Sequence, residues 1–395
     1  MRTTALAARP ASEPSILLHE SRLPGEGGSR LFSGLEDVIV AEAPSDVERA
    51  FHGIEQALAK GLCVAGAAAY ELGYCVEERL VPLFRAPRHP LVQFGVFRHM
   101  QRLAPDAAEH LIASRTVHAG NDAVHVRATE PKGRYLAKVA RIREYIAAGD
   151  IYQANLTFPL HFPWAGDVWS LYRRMAPMQR VLYGAVVDLP ELKIASLSPE
   201  LFLRKRGSAI ASRPMKGTMR RGATMDEDRS LVRKLHDDPK NRAENLMIVD
   251  LIRNDLSRIA SIGSVGVEGL FSVETYETLH QMVSTVKAEV VADIPLLDIF
   301  RAMFPCGSVT GAPKIRAMEI IHELEERPRG IYTGAIGYVS PDRDLVFSVP
   351  IRTAVLSGPG EAEFGIGSGI VWDSVPEEEY DECLLKAQFL RTALT

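Results

Sequence analysis

Two residue patterns in this chain are equipped for chemistry. The first is Ser212-Arg213-Pro214-Met215-Lys216-Gly217-Thr218-Met219-Arg220-Arg221-Gly222, where a lysine stands two residues after a proline and just before a glycine. Pro214 fixes one backbone dihedral and Gly217 frees another, so the pattern predicts Lys216 in a turn rather than a helix. A lysine is a nucleophile only once its amine has lost a proton, which burial or cationic neighbours promote. Arg213, Arg220 and Arg221 are the candidate neighbours. Taken alone, the same residues also describe an exposed lysine on a hairpin. The second pattern is a pair of carboxylate faces. Asp238-Pro239 opens a helix on which position 241 and Glu244 are three apart and share a face. Glu379 and Glu382 have the same spacing at the start of the last helix. Two such faces offer hard oxygen ligands for magnesium, with water completing the octahedron. The helix dipole also favours early acidic residues; it accounts for Glu377 and Glu378 and competes as an explanation of Glu379 and Glu382.

The elements that must carry these residues are legible as patterns. A helix is predicted over 46–60, with Ser45 as cap and Glu48 closing a capping box. Val64 to Tyr74 reads as a small-residue strand and turn, and 91–118 as one or two strands followed by a turn at 119–122. A helix over 131–148 ends at Gly149, and a strand runs from Ile151 to Leu160. Leu182–Val187 and Lys193–Leu197 pair across a turn, and Ser198-Pro199-Glu200 closes the second strand. Thr224 and Glu227 form a capping box for a helix to about 236. Phe271 to Val291 alternates as strand, so His280 and Gln281 point to opposite faces. A Gly- and Pro-rich loop, Phe304 to Lys314, precedes a helix at 315–325; it lacks the GK[ST] ending of a P-loop. Tyr332–Tyr338 and Phe347–Val355 read as a hairpin through 341–344, with Arg352 on its second strand. Gly365-Ile366-Gly367-Ser368-Gly369 is followed by no helix, which argues against a dinucleotide site and suits backbone amides facing a carboxylate. Ser374 and Glu377 suggest a capping box for the last helix.

Composition narrows the function classes. The 395 residues are 46% hydrophobic and 24% charged, ordinary values for a globular protein of one large or two ordinary domains. The formal net charge of -4, without a basic run, gives no sign of a nucleic-acid or anionic-membrane partner. No apolar stretch reaches the ~18 residues of a membrane span. The first ten residues hold too short an apolar region for a signal peptide. Cys63, Cys75, Cys306 and Cys383 form no CxxC pair, which suits a reducing, cytoplasmic setting and argues against structural zinc. None is framed as a glutaminase nucleophile.

The chain resembles the chorismate-utilising enzymes from about residue 130 to the end. The resemblance rests on Gly149 to Leu156, Ser198-Pro199-Glu200, Pro214 to Thr218 and Asp238 to Asn245 running into Val249 to Asp255. It continues with Gly307 to Lys314, Ile351-Arg352-Thr353 and Pro376 to Glu382, all in the family's order. Lys216 stands where the aminodeoxychorismate synthase branch, component I, carries its lysine; anthranilate synthases have alanine there. The resemblance implies a nucleophilic role for Lys216 and a general acid–base role for Glu200. It implies magnesium held by Glu244, Glu379 and Glu382, although many relatives have glutamate where Asn241 stands. It implies that Arg352 and Tyr332 hold a substrate carboxylate, with Thr310, Gly367 and Gly369 completing the cradle. Gln153 occupies the place of the lysine base of water-adding relatives, which disfavours hydroxylation at C2. Gln281 replaces a frequent histidine and is a further contact.

Hairpin signals dominate over βαβ spacing, so the fold class is α+β with antiparallel sheets. The resemblance sharpens this to two large packed sheets flanked by helices with the site in a cleft between them. Residues 1–128 form an N-terminal region contributing to this sandwich, and 129–395 the chorismate-binding core. The implied activity is amination of chorismate at C4 for para-aminobenzoate and folate biosynthesis, with ammonia from a glutamine amidotransferase subunit. Lys216 and Asn241 speak against the alternative of an anthranilate synthase component I. Glu200, Lys216, Glu244 and Glu382 together speak against a non-catalytic chorismate-binding regulatory subunit.

Overall fold

The computed structural model describes residues 13–22, 28–116, 124–276, 279–358 and 360–394. Every strand pairing is antiparallel, and the strands form one continuous ladder. At one end lies Gln153–Trp164, then Gly360–Ile370, Thr353–Gly358, Leu192–Ser198, Tyr183–Leu189 and Ser15–His19. The long strands Ser29–Ala41 and Val92–Leu103 carry the ladder onward. Cys63–Ala68, Ala335–Val339, Leu345–Ser348, Leu201–Arg206 and Ala209–Arg213 follow. Leu279–Glu289 comes last and also pairs with Met215–Arg220 and Gly266–Thr275.

The expected two sheets are the two halves of this ladder, folded over so that they face each other. One buried cluster joins Ile194 and Val355 from the first half to Ala65 and Ile336 from the second. Helices cover the outer faces. Lys132–Ala147 and Pro376–Lys386 pack on the end of the ladder formed by Gln153–Trp164 and Gly360–Ile370, and Val168–Met175 packs on Tyr183–Leu189 and Leu192–Ser198. Val47–Ala59, Pro239–Ser257 and Leu296–Met303 cover the other half. The period-2 rule settles which residues see the cleft. Phe364, Ile366 and Ile370 point into the helix-side core, so Gly365, Gly367 and Gly369 line the opposite face.

Several local expectations are corrected. Residues 91–118 contain one strand and then a helix, Pro105–Arg115, whose proline sits in the first turn. Phe271 to Val291 belongs to a hairpin of Gly266–Thr275 and Leu279–Glu289; alternation persists across a reversal and so hides it. Tyr70–Tyr74 leads from the strand Cys63–Ala68 into a helical turn at Leu72–Val76. A short 3-10 turn at Pro44–Asp46 precedes the first helix, so Ser45 is not its cap. Ser374 does not cap the last helix either, because Pro376 starts it behind Val375. The hairpin around 341–344 ends at Ser348, and the chain then crosses at Pro350 to a different part of the ladder. Arg352 therefore lies in a crossover rather than on the second strand of that hairpin. The Thr224 cap is as expected, accepting from Glu227 N, and Asp238 caps the helix opened by Pro239, accepting from Asn241 N. The turn at 119–122 and the first ten residues lie outside the described residues.

Candidate active site

Lys216 sits on the strand Met215–Arg220, not in an isolated turn. The strand pairs Met215 with Val283 and Thr218 with Gln281, so Lys216-Gly217 is one residue too many opposite Met282. Gly217 takes up this bulge at φ +86°, where a side chain would be strained and would strike Asn241. The bulge turns Lys216 toward the floor of the cleft. A methyl carbon built on Gly369 would lie 3.1 Å from Lys216 Nζ and 3.0 Å from Gln153 Nε2. Glycine at 369 leaves room for both side-chain ends, which an added methyl would push back by a few tenths of an ångström.

Burial lowers the pKa of Lys216 from the usual lysine value. Glu244 opposes that shift, Lys386 adds to it, and Glu200 and Glu382 oppose it. The arginines expected to play this part are engaged elsewhere. Arg213 pairs with Glu274, Arg220 with Glu227 and Arg221 with Asp228. Solvent exclusion thus replaces cationic crowding as the main cause.

Glu200 occupies the tight link between the strands ending at Ser198 and starting at Leu201. Ser198 Oγ fixes that link, donating to Val349 O at 2.6 Å, and Val349 N donates to Glu200 O at 3.1 Å. The carboxyl is 3% exposed, and its Oε1 has no hydrogen-bond partner. Burial pushes its pKa up to about 7, against contacts with Ser308, Lys216 and the Met215 backbone that lower it. Near neutrality it can therefore give or take a proton. Gln153 is fully buried, and both polar atoms of its amide lack partners. A buried amide left so is costly unless a ligand completes it.

Along the strand Gly360–Ile370 the cleft face is a run of glycines. Gly369 meets Lys216 and Gln153, Gly367 meets Thr157, and Gly365 lies under the ring of Tyr332. Gly365 and Gly369 are four residues apart, which at the strand rise separates the lysine end from the tyrosine end by roughly 13 Å. Arg352 stands at φ +55° in the crossover and forms no ion pair with any described residue. Burial lowers its pKa to about 10, with Tyr276 opposing, and burial raises that of Tyr332. A half-buried guanidinium without a carboxylate partner is a ready anion receptor. Thr310 is buried in the loop before the helix Lys314–Leu324; its hydroxyl donates to Cys306 O and Gly307 O, so it braces the loop from within. Gln281 lies on the cleft face: its neighbours His280 and Ser284 bond to Asp228 and Asn245 on the helix side.

The expected metal ligands partly converge. Burial raises the pKa of Glu244, and Glu379 and Glu382 push it the same way against Lys216 and Lys240. Glu379 accepts from Ser374 Oγ at 2.6 Å. Glu382 pairs with Lys386 at 2.7 Å, which holds its pKa below the usual value against the upward push of burial. Among the described residues no three His, Cys, Asp or Glu side chains stand close enough to hold an ion. The donor set thus fits a hard divalent cation in type and in mutual repulsion, but not as a ready-made cage. Asn241 adds no charge; it packs on Gly217 and donates to Asp238 Oδ1.

Sequence reasoning missed two residues here. Lys386 donates to Gly367 O at 3.0 Å and bridges the glutamates to the glycine floor; its i,i+4 spacing from Glu382 was the available signal. Ser308, beside Glu200, carried none.

Among the described residues no helix is long and apolar enough to cross a membrane. Aminodeoxychorismate synthase component 1 of Escherichia coli is 43% identical over 249 residues, 63% of this chain and 55% of that protein. Anthranilate synthase component 1 of Aquifex aeolicus is 41% identical over 256 residues, 65% of this chain and 52% of that protein. The chain spans about a third to just over half the length of the curated relatives it matches. The crystal structure of anthranilate synthase component I from Streptococcus pneumoniae superposes with a TM-score of 0.77 at 23% identity, covering 99% of this chain and 95% of that one. This likeness establishes the fold. Residues 17–392 match the family described as chorismate binding enzyme, and the chain belongs to that family.

Proposed function

We propose that this chain aminates chorismate at C4 to give 4-amino-4-deoxychorismate, using ammonia supplied by a separate glutamine amidotransferase subunit. The observation that carries the reading is Lys216 Nζ, seated on Gly369 beside the unpartnered Gln153, with Glu200 held near neutrality in the same cleft. The neutral lysine adds to C2. Both ring double bonds shift toward C4, the C4–O bond breaks, and the proton of Glu200 leaves with the hydroxyl as water. The ionised Glu200 takes a proton from the new lysine ammonium. Ammonia then bonds to C4, the double bonds return, and the C2–N bond breaks; Glu200 relays the proton that restores the lysine amine. Buried Glu200 suits both directions of transfer.

Arg352 and Tyr332 bind the side-chain carboxylate of the substrate, Gly367 lines the floor between the two ends, and Thr310, whose carbonyl accepts from Asn155 N opposite Gly369, braces the loop at the lysine end. Glu244, Glu379 and Glu382 would hold magnesium, which would neutralise the ring carboxylate. Names of relatives support the reading, since several with 41–45% identity are aminodeoxychorismate synthases. The test is the purified chain with chorismate, magnesium and ammonium, its products separated by chromatography. 4-Amino-4-deoxychorismate is the expected product. Anthranilate, or no turnover, would overturn the proposal. Glutamine as sole nitrogen source should give product only when an amidotransferase subunit is added.

A further inference from the structure

Behind the cleft, Arg329 uses its whole guanidinium. Its side chain is 2% exposed. Nε donates to Glu325 Oε2 at 2.7 Å, and Nη2 to Glu325 Oε1 at 2.8 Å and to Asn155 O at 2.6 Å. Nη1 donates to Val309 O at 2.8 Å and Thr333 Oγ1 at 3.4 Å. The guanidinium also lies 4.3 Å from the centre of the Tyr70 ring. Its backbone is fixed as well: Arg329 N and Gly330 N donate to the two oxygens of buried Glu71 at 2.6 and 3.1 Å. Glu325 Oε1 extends the network to Thr157 N at 2.7 Å.

The atoms held are the useful ones to hold. Asn155 follows Gln153 by two residues, Val309 precedes Thr310, and Thr333 follows Tyr332. Three chain segments distant in sequence thus meet on one planar fork, and each carries a residue assigned above to the substrate. We infer that Arg329 is a positioning residue, which sets the mutual spacing of Gln153, Thr310 and Tyr332 without touching substrate or the reacting lysine. The inference rests on the proposed chorismate reading. Lysine cannot replace it: an ammonium offers donors from one point, whereas these acceptors surround a plane.

The experiment uses the full chain with chorismate, magnesium and ammonium. R329K keeps a positive charge beside Glu325 and so avoids a bare buried carboxylate. Misplacement of binding groups should raise KM for chorismate on the order of tenfold to a hundredfold. The value of kcat should stay within about threefold, and the pH profile of kcat should not move, because neither Lys216 nor Glu200 bonds to Arg329 or to Glu325. A native KM in R329K, or a loss confined to kcat, or a shifted pH profile, would each overturn the positioning role. If R329K does not fold, E325Q keeps the shape of the pair and must show the same split, with a smaller rise in KM; a native KM there overturns the role equally. The two readings fail separately. Absence of 4-amino-4-deoxychorismate from the unsubstituted chain sinks the function, whereas product formation with an unchanged KM in the variants sinks only the positioning role.

Discussion

The lysine end of the cleft and the arginine hub behind it are both buried and polar, yet they are built oppositely. Around Arg329 the guanidinium is met by Glu325 and by backbone oxygens of distant segments, and the nearby Glu71 accepts backbone N–H groups. Around Lys216, the Gln153 amide and one Glu200 oxygen have no partner at all. A satisfied network rigidifies a fold, while an unsatisfied one raises its free energy until something binds. The hub is scaffold, and the lysine end is a site held ready. Substitutions should therefore separate the two regions: at the hub they cost stability, at the lysine end they cost turnover.

The largest expected effect is that of Lys216→Ala. It should lower kcat for amination by more than about 10³-fold, since the nucleophile itself is lost. Its melting temperature should hold or rise, because a buried amine is removed from a site with opposing charges at a distance. Arg329→Ala should do the reverse, costing about 3–5 kcal/mol of folding stability by stranding Glu325. A lysine variant that unfolds, or an arginine variant that melts normally, would erase the contrast.

Glu200→Gln comes next, with kcat falling by about 10²–10⁴-fold. It also carries a pH signature. The folded carboxyl is raised to about 7 from 4.5, so the folded protein holds a proton that the unfolded chain has released. The associated stability is fully present below about pH 4.5 and is lost as pH rises through 7, on the order of 3 kcal/mol in total. Denaturant titrations from pH 4.5 to 7.5 should show that decline, and Glu200→Gln should lessen it, leaving the part that Glu71, also raised to about 7 by burial, contributes. An unchanged slope would mean that Glu200 titrates normally.

Smaller effects test the metal and the unpaired amide. Glu244→Gln and Glu382→Gln should each raise the half-saturating magnesium concentration at least about tenfold. Undiminished wild-type turnover in excess EDTA would remove magnesium from the scheme. Gln153→Met should weaken chorismate binding while stabilising the free protein by about 1 kcal/mol, because two orphaned polar atoms leave the core. Destabilisation there would show that the amide has a partner after all.

Local spacing was enough to single out Lys216 and the paired glutamates as candidates, because proline, glycine and helical spacing act over a few residues; the role of Glu200, and the choice of a reactive over an exposed Lys216, came from the family resemblance. It was also enough for antiparallel α+β, since turn signals and alternation are written in short stretches. What it could not reach depends on segments meeting from far along the chain. The sequence pointed to arginines as the cause of an altered Lys216, but their partners Glu274, Glu227 and Asp228 are chosen by the fold. Alternation along 271–291 hid a reversal, and a crossover at Pro350 moved Arg352 off its expected strand. Arg329 carried no local signal, because its meaning lies in three carbonyl and hydroxyl oxygens from segments up to 174 residues apart. Residue types fixed which chemistry was available; burial and convergence, which only the folded ladder creates, decided which groups are unpaired and so able to react.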